Sequence, residues 1–235
     1  MVVRAVLFDL DDTLYDHSTM TRVATAAAVA ESAALRAVPL ERVVTESHAL
    51  LEALHPDVVA KRLSLADSRV ERYRRLLAQF GGDPGDAARL ASVHVDCYRG
   101  NERLVPGARE LLARLHALEL PLAIVSNNTR DEQLGKLSRL HCLHFFSEVI
   151  VLADHAFAKP DPRLFEVALR KLGVSANAAV YVGNDWSIDV IGAAAAGIRP
   201  AWFNRFSRTR EDSTNAAELT GFEDLDLALR VILER

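Results

Sequence analysis

Short β-branched or apolar runs recur along the chain at Val2-Phe8, Leu122-Val125, Glu148-Leu152, Ala179-Val182 and Pro200-Phe203. From residue 107 onward they alternate with segments of helical period, the pattern of parallel strands joined by crossover helices. Between residue 14 and about residue 100 the pattern changes. This stretch is rich in Ala, Leu, Arg and Glu and has no convincing strand. Thr19-Ala37, Leu40-Leu54 and Ser68-Phe80 read as helices, with breaks at Pro39, Pro56 and the Gly81-Gly82-Asp83-Pro84-Gly85 turn. The expected fold class is α/β: a Rossmann-like parallel sheet core with helices on both faces, plus an inserted α-helical domain. Residues 1–14 and 101–235 would form the core and residues 15–100 the insertion. The insertion leaves right after the first strand and returns near Pro106-Gly107, so it can open and close over whatever the first strand carries.

Composition narrows the function classes. The chain has 235 residues, half of them hydrophobic, and a formal net charge of -4. That balance argues against nucleic-acid binding, which would show a basic face or stripe. The two cysteines, Cys97 and Cys142, are far apart and form no paired motif, which suits a reducing compartment. Arg4 interrupts the first apolar run and acids follow it, so no signal peptide is expected. No apolar stretch approaches a membrane span. A cytoplasmic protein with no membrane partner, monomer or homodimer, is the default.

Two clusters of acids change the picture. Asp9 and Asp11 stand at positions i and i+2 at the end of the first apolar run, so both can point to one side at the carboxyl edge of the sheet, where open parallel sheets bind ligands. Crowded carboxylates repel unless a cation intervenes, and Mg²⁺ suits them because it takes oxygen ligands and bridges to phosphate. Asn184, Asp185 and Asp189 follow Tyr181-Val182-Gly183 and reach the same edge, with Gly183 allowing close backbone approach. An anion site is also legible. Ser126 follows the strand Leu122-Val125 and precedes Asn127, Asn128 and Thr129, where a hydroxyl and free N–H groups can meet a phosphate. Lys159 is one of four lysines in the chain and precedes Pro160-Asp161-Pro162, a strong helix start. It reads as the charge that offsets a phosphate.

Taken together, Asp9-x-Asp11-x-Thr13, Ser126, Lys159 within Lys-Pro-Asp-Pro, and Gly183-Asn184-Asp185-x-x-x-Asp189 resemble the haloacid dehalogenase superfamily, in the subfamily with a helical cap inserted after the first motif. The resemblance implies a Mg²⁺-dependent phosphatase acting on a small phosphorylated metabolite of the sugar phosphate, nucleotide or phosphoglycolate type. It implies Asp9 as nucleophile forming an aspartyl-phosphate and Asp11 as general acid and base. It further implies Ser126, Asn127 and Lys159 around the phosphoryl group, and Asp9, Asp11, Asn184, Asp185 and Asp189 as the set from which metal ligands come. Asn184 stands where many relatives carry aspartate, so Asn184 and Asp185 both remain candidates for the metal. The alternatives are a non-catalytic or regulatory binding protein of the same fold, a phosphomutase, or a 2-haloacid dehalogenase. The acid at Asp11 argues against dehalogenation, and Lys61, the sole cap lysine, has no surroundings that would activate it for phosphonate chemistry.

Several residues stay outside this scheme. His17 could face a substrate or be an exposed turn residue. His141, Cys142 and His144 lack a further cluster to complete a zinc site. Trp186 could close against the cap or pack on a helix. Arg205, Arg208 and Arg210 read as a solvated loop. Cap arginines Arg69, Arg72, Arg74 and Arg75 could bind a second anionic group or lie on the solvent face.

Overall fold

The computed structural model describes residues 2–234. Six strands, β1 (Ala5–Phe8), β2 (Leu122–Ser126), β3 (Glu148–Val151), β4 (Ala179–Gly183), β5 (Arg199–Phe203) and β6 (Ala217–Leu219), form one parallel sheet in the order β3-β2-β1-β4-β5-β6. The chain winds outward from β1 on one side and returns to build the other side from β4. The order therefore reverses next to β1, and the crevice at that point is where such sheets take ligands. Register brings the strand ends level, with Phe8 opposite both Ile124 and Val182.

Every residue of β1, β2 and β4 is buried, which explains the uniformly apolar runs. Alternate positions serve opposite faces. Ala5 and Leu7 of β1 join Ala123, Val125, Ile150, Ala179 and Tyr181 on one face. Against them pack Leu164, Phe165 and Ala168, which lie on the helix Pro162–Leu172.

The chain divides into two compact units, one comprising residues up to Asp16 and from Arg103 onward, the other His17–Glu102. The second unit is helical: α1 (His17–Ala30), α2 (Ala33–Arg36), α3 (Leu40–Val59), α4 (Leu65–Gln79) and α5 (Ala87–Gly100). Its core includes Ala28, Leu35, Val43, Tyr73, Leu76, Leu77 and Leu90. The remaining helices of the sheet unit are α6 (Ala108–Ala117), α7 (Arg130–Arg139), α8 (Pro162–Leu172), α9 (Ile191–Ala195) and α10 (Leu225–Leu233). No helix among the described residues is long and apolar enough to cross a membrane.

Three local expectations are corrected. The run Thr19-Ala37 is two helices, because Ser32 interrupts it and caps the second by accepting from the Leu35 N–H. Pro56 does not break α3, which continues to Val59. Pro56 and Glu52, whose carbonyl loses the Pro56 donor, are both exposed, where losing one helix hydrogen bond costs least. The first strand begins at Ala5 rather than Val2, whose side chain is exposed.

Candidate active site

The chain leaves β1 in a tight turn. The N–H groups of Thr13, Leu14 and Tyr15 all donate to the Leu10 carbonyl, and Asp12 takes a left-handed φ of 63°. This turn aims Thr13 back at the strand end. Its hydroxyl lies 3.1 Å from Asp9 Oδ2 and 3.3 Å from Asn184 Oδ1.

The other Asp9 oxygen meets Lys159. Lys159 is 5% exposed, and its Nζ donates to Asp9 Oδ1 at 2.7 Å, Asp189 Oδ1 at 2.7 Å and the Tyr181 hydroxyl at 2.9 Å. An ammonium has three protons, and here each has an oxygen to meet. Burial pushes the Asp9 carboxyl from 3.8 up to about 7, with Lys159 pulling it down and Asp189 adding to the rise. Burial works against the Lys159 charge too, but Asp189 and Asp9 outweigh it and hold the ammonium above its ordinary value. Burial, then Asp189 and Asp9, keep the Tyr181 phenol protonated well beyond its usual range.

Asp11 is held separately. Lys136 Nζ donates to its Oδ1 at 2.6 Å, and Gln133 Nε2 to its Oδ2 at 3.0 Å. Both partners project from α7 and are fully or almost fully buried. Gln133 Nε2 also donates to Ser126 Oγ at 2.7 Å, so one amide ties the end of β2 to the end of β1. The Asn127 side chain clamps the Lys159 backbone from both sides, its Nδ2 donating to the carbonyl at 2.9 Å and its Oδ1 accepting from the N–H at 2.8 Å. The Lys159–Pro160 peptide in this loop is cis.

After β4, the three acid or amide positions do different things. Asp185 caps the single π-helical turn Trp186–Val190, its Oδ1 accepting from the Ile188 N–H at 2.9 Å and the Ser187 hydroxyl at 2.8 Å. Asp189, 1% exposed, receives Lys159 and Tyr181 on Oδ1 and the Asp185 N–H on Oδ2 at 3.0 Å. Gly183 is needed for this arrangement, since a Cβ there would lie 2.5 Å from Asp189 Cβ and Cγ. Asn184 shares the Thr13 hydroxyl with Asp9, as Asp189 shares the Lys159 ammonium with it.

These residues suit a divalent cation. Asp9 Oδ2 and Asn184 Oδ1 share the single proton of the Thr13 hydroxyl, so two hard oxygen acceptors face one donor. Around them Asp9, Asp11 and Asp189 outnumber the ammonium groups of Lys136 and Lys159. Among the described residues no three His, Cys, Asp or Glu side chains gather as a metal cluster, so a cation here would need oxygen donors besides carboxylates.

The sequence did not point to Lys136, Gln133 or Tyr181. The usable signal was the scarcity of lysine, which applies to Lys136 as much as to Lys159. Trp186 packs on Trp202 of β5, with centroids 4.8 Å apart and planes at 79°, so the partner is a strand residue rather than the expected helix. Arg205 is not solvated as expected. It is largely buried and donates to Asp12 Oδ1 at 3.1 Å and Asp16 Oδ1 at 2.5 Å, fastening the loop after β5 to the turn after β1. In the helical unit, His17 Nδ1 lies 2.7 Å from the Tyr98 hydroxyl.

Comparison with known proteins gives the family. Residues 3–197 match the description of haloacid dehalogenase-like hydrolases. A phosphoserine phosphatase from Thermus thermophilus is 34% identical over 70% of this chain and 68% of that protein. A glyceraldehyde 3-phosphate phosphatase from Methanothermobacter thermautotrophicus is 31% identical over 94% of both. Among solved structures, the HAD-hydrolase YfnB from Bacillus subtilis bound to magnesium superposes with a TM-score of 0.74 at 22% identity, covering 98% of this chain and 100% of that one. The chain belongs to the haloacid dehalogenase-like hydrolases.

Proposed function

We propose that the chain is a Mg²⁺-dependent phosphatase hydrolysing the monoester of a small phosphorylated metabolite. The observation that carries this is the fixing of Asp9 at both oxygens, Oδ1 by Lys159 and Oδ2 by Thr13 beside Asn184. A carboxylate held so firmly at a strand end is a positioned nucleophile. Asp9 attacks phosphorus, the ester P–O bond breaks, and Asp11 gives its proton to the leaving oxygen. Asp11 then takes a proton from water, which attacks the aspartyl-phosphate and frees Asp9 and inorganic phosphate. Ser126 holds a phosphoryl oxygen, and Lys159, whose three protons are engaged by Asp9, Asp189 and Tyr181, offsets the phosphoryl charge, with Asn127 fixing its backbone. Asp9, Asn184 and the Asp11 carbonyl would hold Mg²⁺, which when bound supplies charge neutralisation for the transferring group. Asp185, engaged in capping, and Asp189, engaged with Lys159, serve as positioning residues.

The two phosphatase relatives support a monoester of a small metabolite as substrate. Release of inorganic phosphate from a panel of sugar phosphates, nucleotides, phosphoglycolate and an aryl phosphate tests it, with and without EDTA. Mg²⁺-dependent release is expected, falling by about 10³-fold or more in Asp9→Asn. A second reading, a non-catalytic binding protein, draws on the uncharged Asn184. Absence of turnover across the panel, with fold and Mg²⁺ binding intact, decides for it.

A further inference from the structure

One amide stands between two groups of the candidate active site and leaves a bond of its own unmade. Gln133, near the start of α7, is fully buried, and its Oε1 has no hydrogen-bond partner. A buried carbonyl oxygen without a donor is costly, so the fold must gain at the other end of the side chain. That end is fully used. An amide nitrogen carries two protons, and Nε2 donates to Asp11 Oδ2 at 3.0 Å and to Ser126 Oγ at 2.7 Å.

Asp11 determines which way round the amide lies. Its Oδ1 accepts from the Lys136 ammonium at 2.6 Å, and its Oδ2 also faces Asn128 Nδ2 at 3.4 Å. The Asn128 amide is itself oriented, since its Oδ1 accepts from the Thr129 N–H at 2.8 Å. A carboxyl oxygen that faces donors on this side draws Nε2 of Gln133, and turning the amide over would set Oε1 against it.

The consequence falls on Ser126. A hydroxyl has two lone pairs and one proton. Gln133 Nε2–H takes one lone pair of Oγ, and the Asn128 N–H, at 3.2 Å, takes the other. With both acceptor positions filled, the hydroxyl can enter a further hydrogen bond only by donating. The surroundings give a ligand access: the Asp11 side chain on the same amide is 25% exposed, and Asn127 and Asn128 are half-buried.

We propose that Gln133 is a positioning residue for the phosphate-ester reaction, which acts through Ser126 by holding its hydroxyl as an obligate donor to a phosphoryl oxygen. The identity of the arriving group rests on the phosphatase reading. The same amide, bonded to Asp11, holds that donor and the acid/base group in one fixed arrangement.

The test uses the full chain with Mg²⁺ and inorganic phosphate as probe, titrated calorimetrically, and needs no turnover. Gln133→Met keeps the length of the side chain and removes its donors. Phosphate binding is expected to weaken by about tenfold in Gln133→Met. In a Ser126→Ala background the same substitution is expected to change phosphate binding less than about twofold, because the group it acts through is gone. A role in packing alone gives equal losses in the two backgrounds. Equal losses, or no loss in the first background, overturn the proposal, as does an unaltered protein that binds no phosphate. Should Gln133→Met fail to fold, the Gln133 Nε2–H resonances of the unaltered protein are followed by ¹⁵N NMR. Bonds in a chain polarise one another, so the proton donated to Ser126 Oγ is expected to move downfield as the hydroxyl donates to phosphate, and to stay in place in Ser126→Ala. No movement in the unaltered protein, or the same movement in Ser126→Ala, overturns the role. If no ester is turned over by the unaltered protein, the phosphatase reading fails while the phosphate titrations still decide Gln133.

Discussion

Acidification from pH 7.5 to 4.5 is expected to destabilise the helical unit through His94, and the size of the loss follows from the ring's surroundings. His94 is 4% exposed. Burial first, then the positive charges of Arg72, Arg69 and His17, push its pKa from 6.5 down to about 2. In the unfolded chain the ring returns to its ordinary value. Between those limits the unfolded state binds a proton that the folded state refuses, so unfolding becomes easier as pH falls. The contribution is fully present above pH 6.5 and is lost below it at about 1.4 kcal/mol per pH unit. At pH 4.5, two units below the unfolded value, about 3 kcal/mol has gone, and any folded value well below 4 gives the same loss over this range. Set against a usual total of about 5–15 kcal/mol, that is a large fraction. His94→Gln keeps an acceptor for Arg72 and a donor for Tyr73, the ring's hydrogen-bond partners, but does not titrate, so it isolates the ring from the other acids and bases. Urea unfolding followed by far-UV circular dichroism reads the helices, while indole fluorescence reads the sheet unit, where Trp186 and Trp202 both lie. The unaltered protein should lose about 3 kcal/mol more than His94→Gln between the two pH values. Parallel losses in the two proteins would refute the reasoning.

Lys159→Met leaves the Asp9 and Asp189 carboxylates buried without their shared ammonium, and breaking a buried pair in this way costs about 3–5 kcal/mol, which urea midpoints would show. A change below about 1 kcal/mol would mean the pair is solvated. Lys136→Met takes the ammonium from Asp11, and phosphate release from an aryl ester is expected to fall about 10²-fold while the melting temperature shifts only slightly, because the Asp11 side chain is 25% exposed. Asn184→Asp should lower the Mg²⁺ concentration for half-maximal phosphate release by about tenfold, and an unchanged requirement would detach residue 184 from the metal.

How much was legible in the sequence depended on whether the signal was local. The strands read clearly because β1, β2 and β4 are buried on both faces and so apolar throughout. β6 went unseen: it is three residues long, contains the exposed Glu218, and follows a polar loop. The ends of β1, β2 and β4 and the Lys159 loop were visible as short polar clusters after apolar runs or before a helix start. Lys136 and Gln133 had no such cue. On a helix with abundant charge they look like solvent-facing residues, and only the fold shows that they are buried against Asp11 and Ser126. Tyr181 was hidden inside an apolar strand, where its ring counts as core and its hydroxyl does not register. The buried Arg72 could not be told from Arg69, Arg74 and Arg75 in sequence, since helix phase alone does not say which of four nearby arginines faces inward.

Charge gives a physical account of Asn184 on the proposed reading. With Asp11 carrying the proton it gives to the leaving oxygen, Asp9 and Asp189 balance Lys136 and Lys159 in formal charge at the strand ends. A divalent cation makes the site net positive, and an arriving phosphate dianion meets attraction. With aspartate at residue 184 the same cation would bind a more negative site and leave it less positive, so metal would be held more tightly and phosphate less strongly drawn. Buried electrostatics make a single charge count heavily here, because Asp9 and Asp189 are largely removed from water and their charges are poorly screened. The amide therefore shifts the division of attraction from the metal toward the ester. It keeps an oxygen donor beside Asp9 Oδ2 on the shared Thr13 hydroxyl, and so preserves the geometry that a divalent cation requires while giving up the charge.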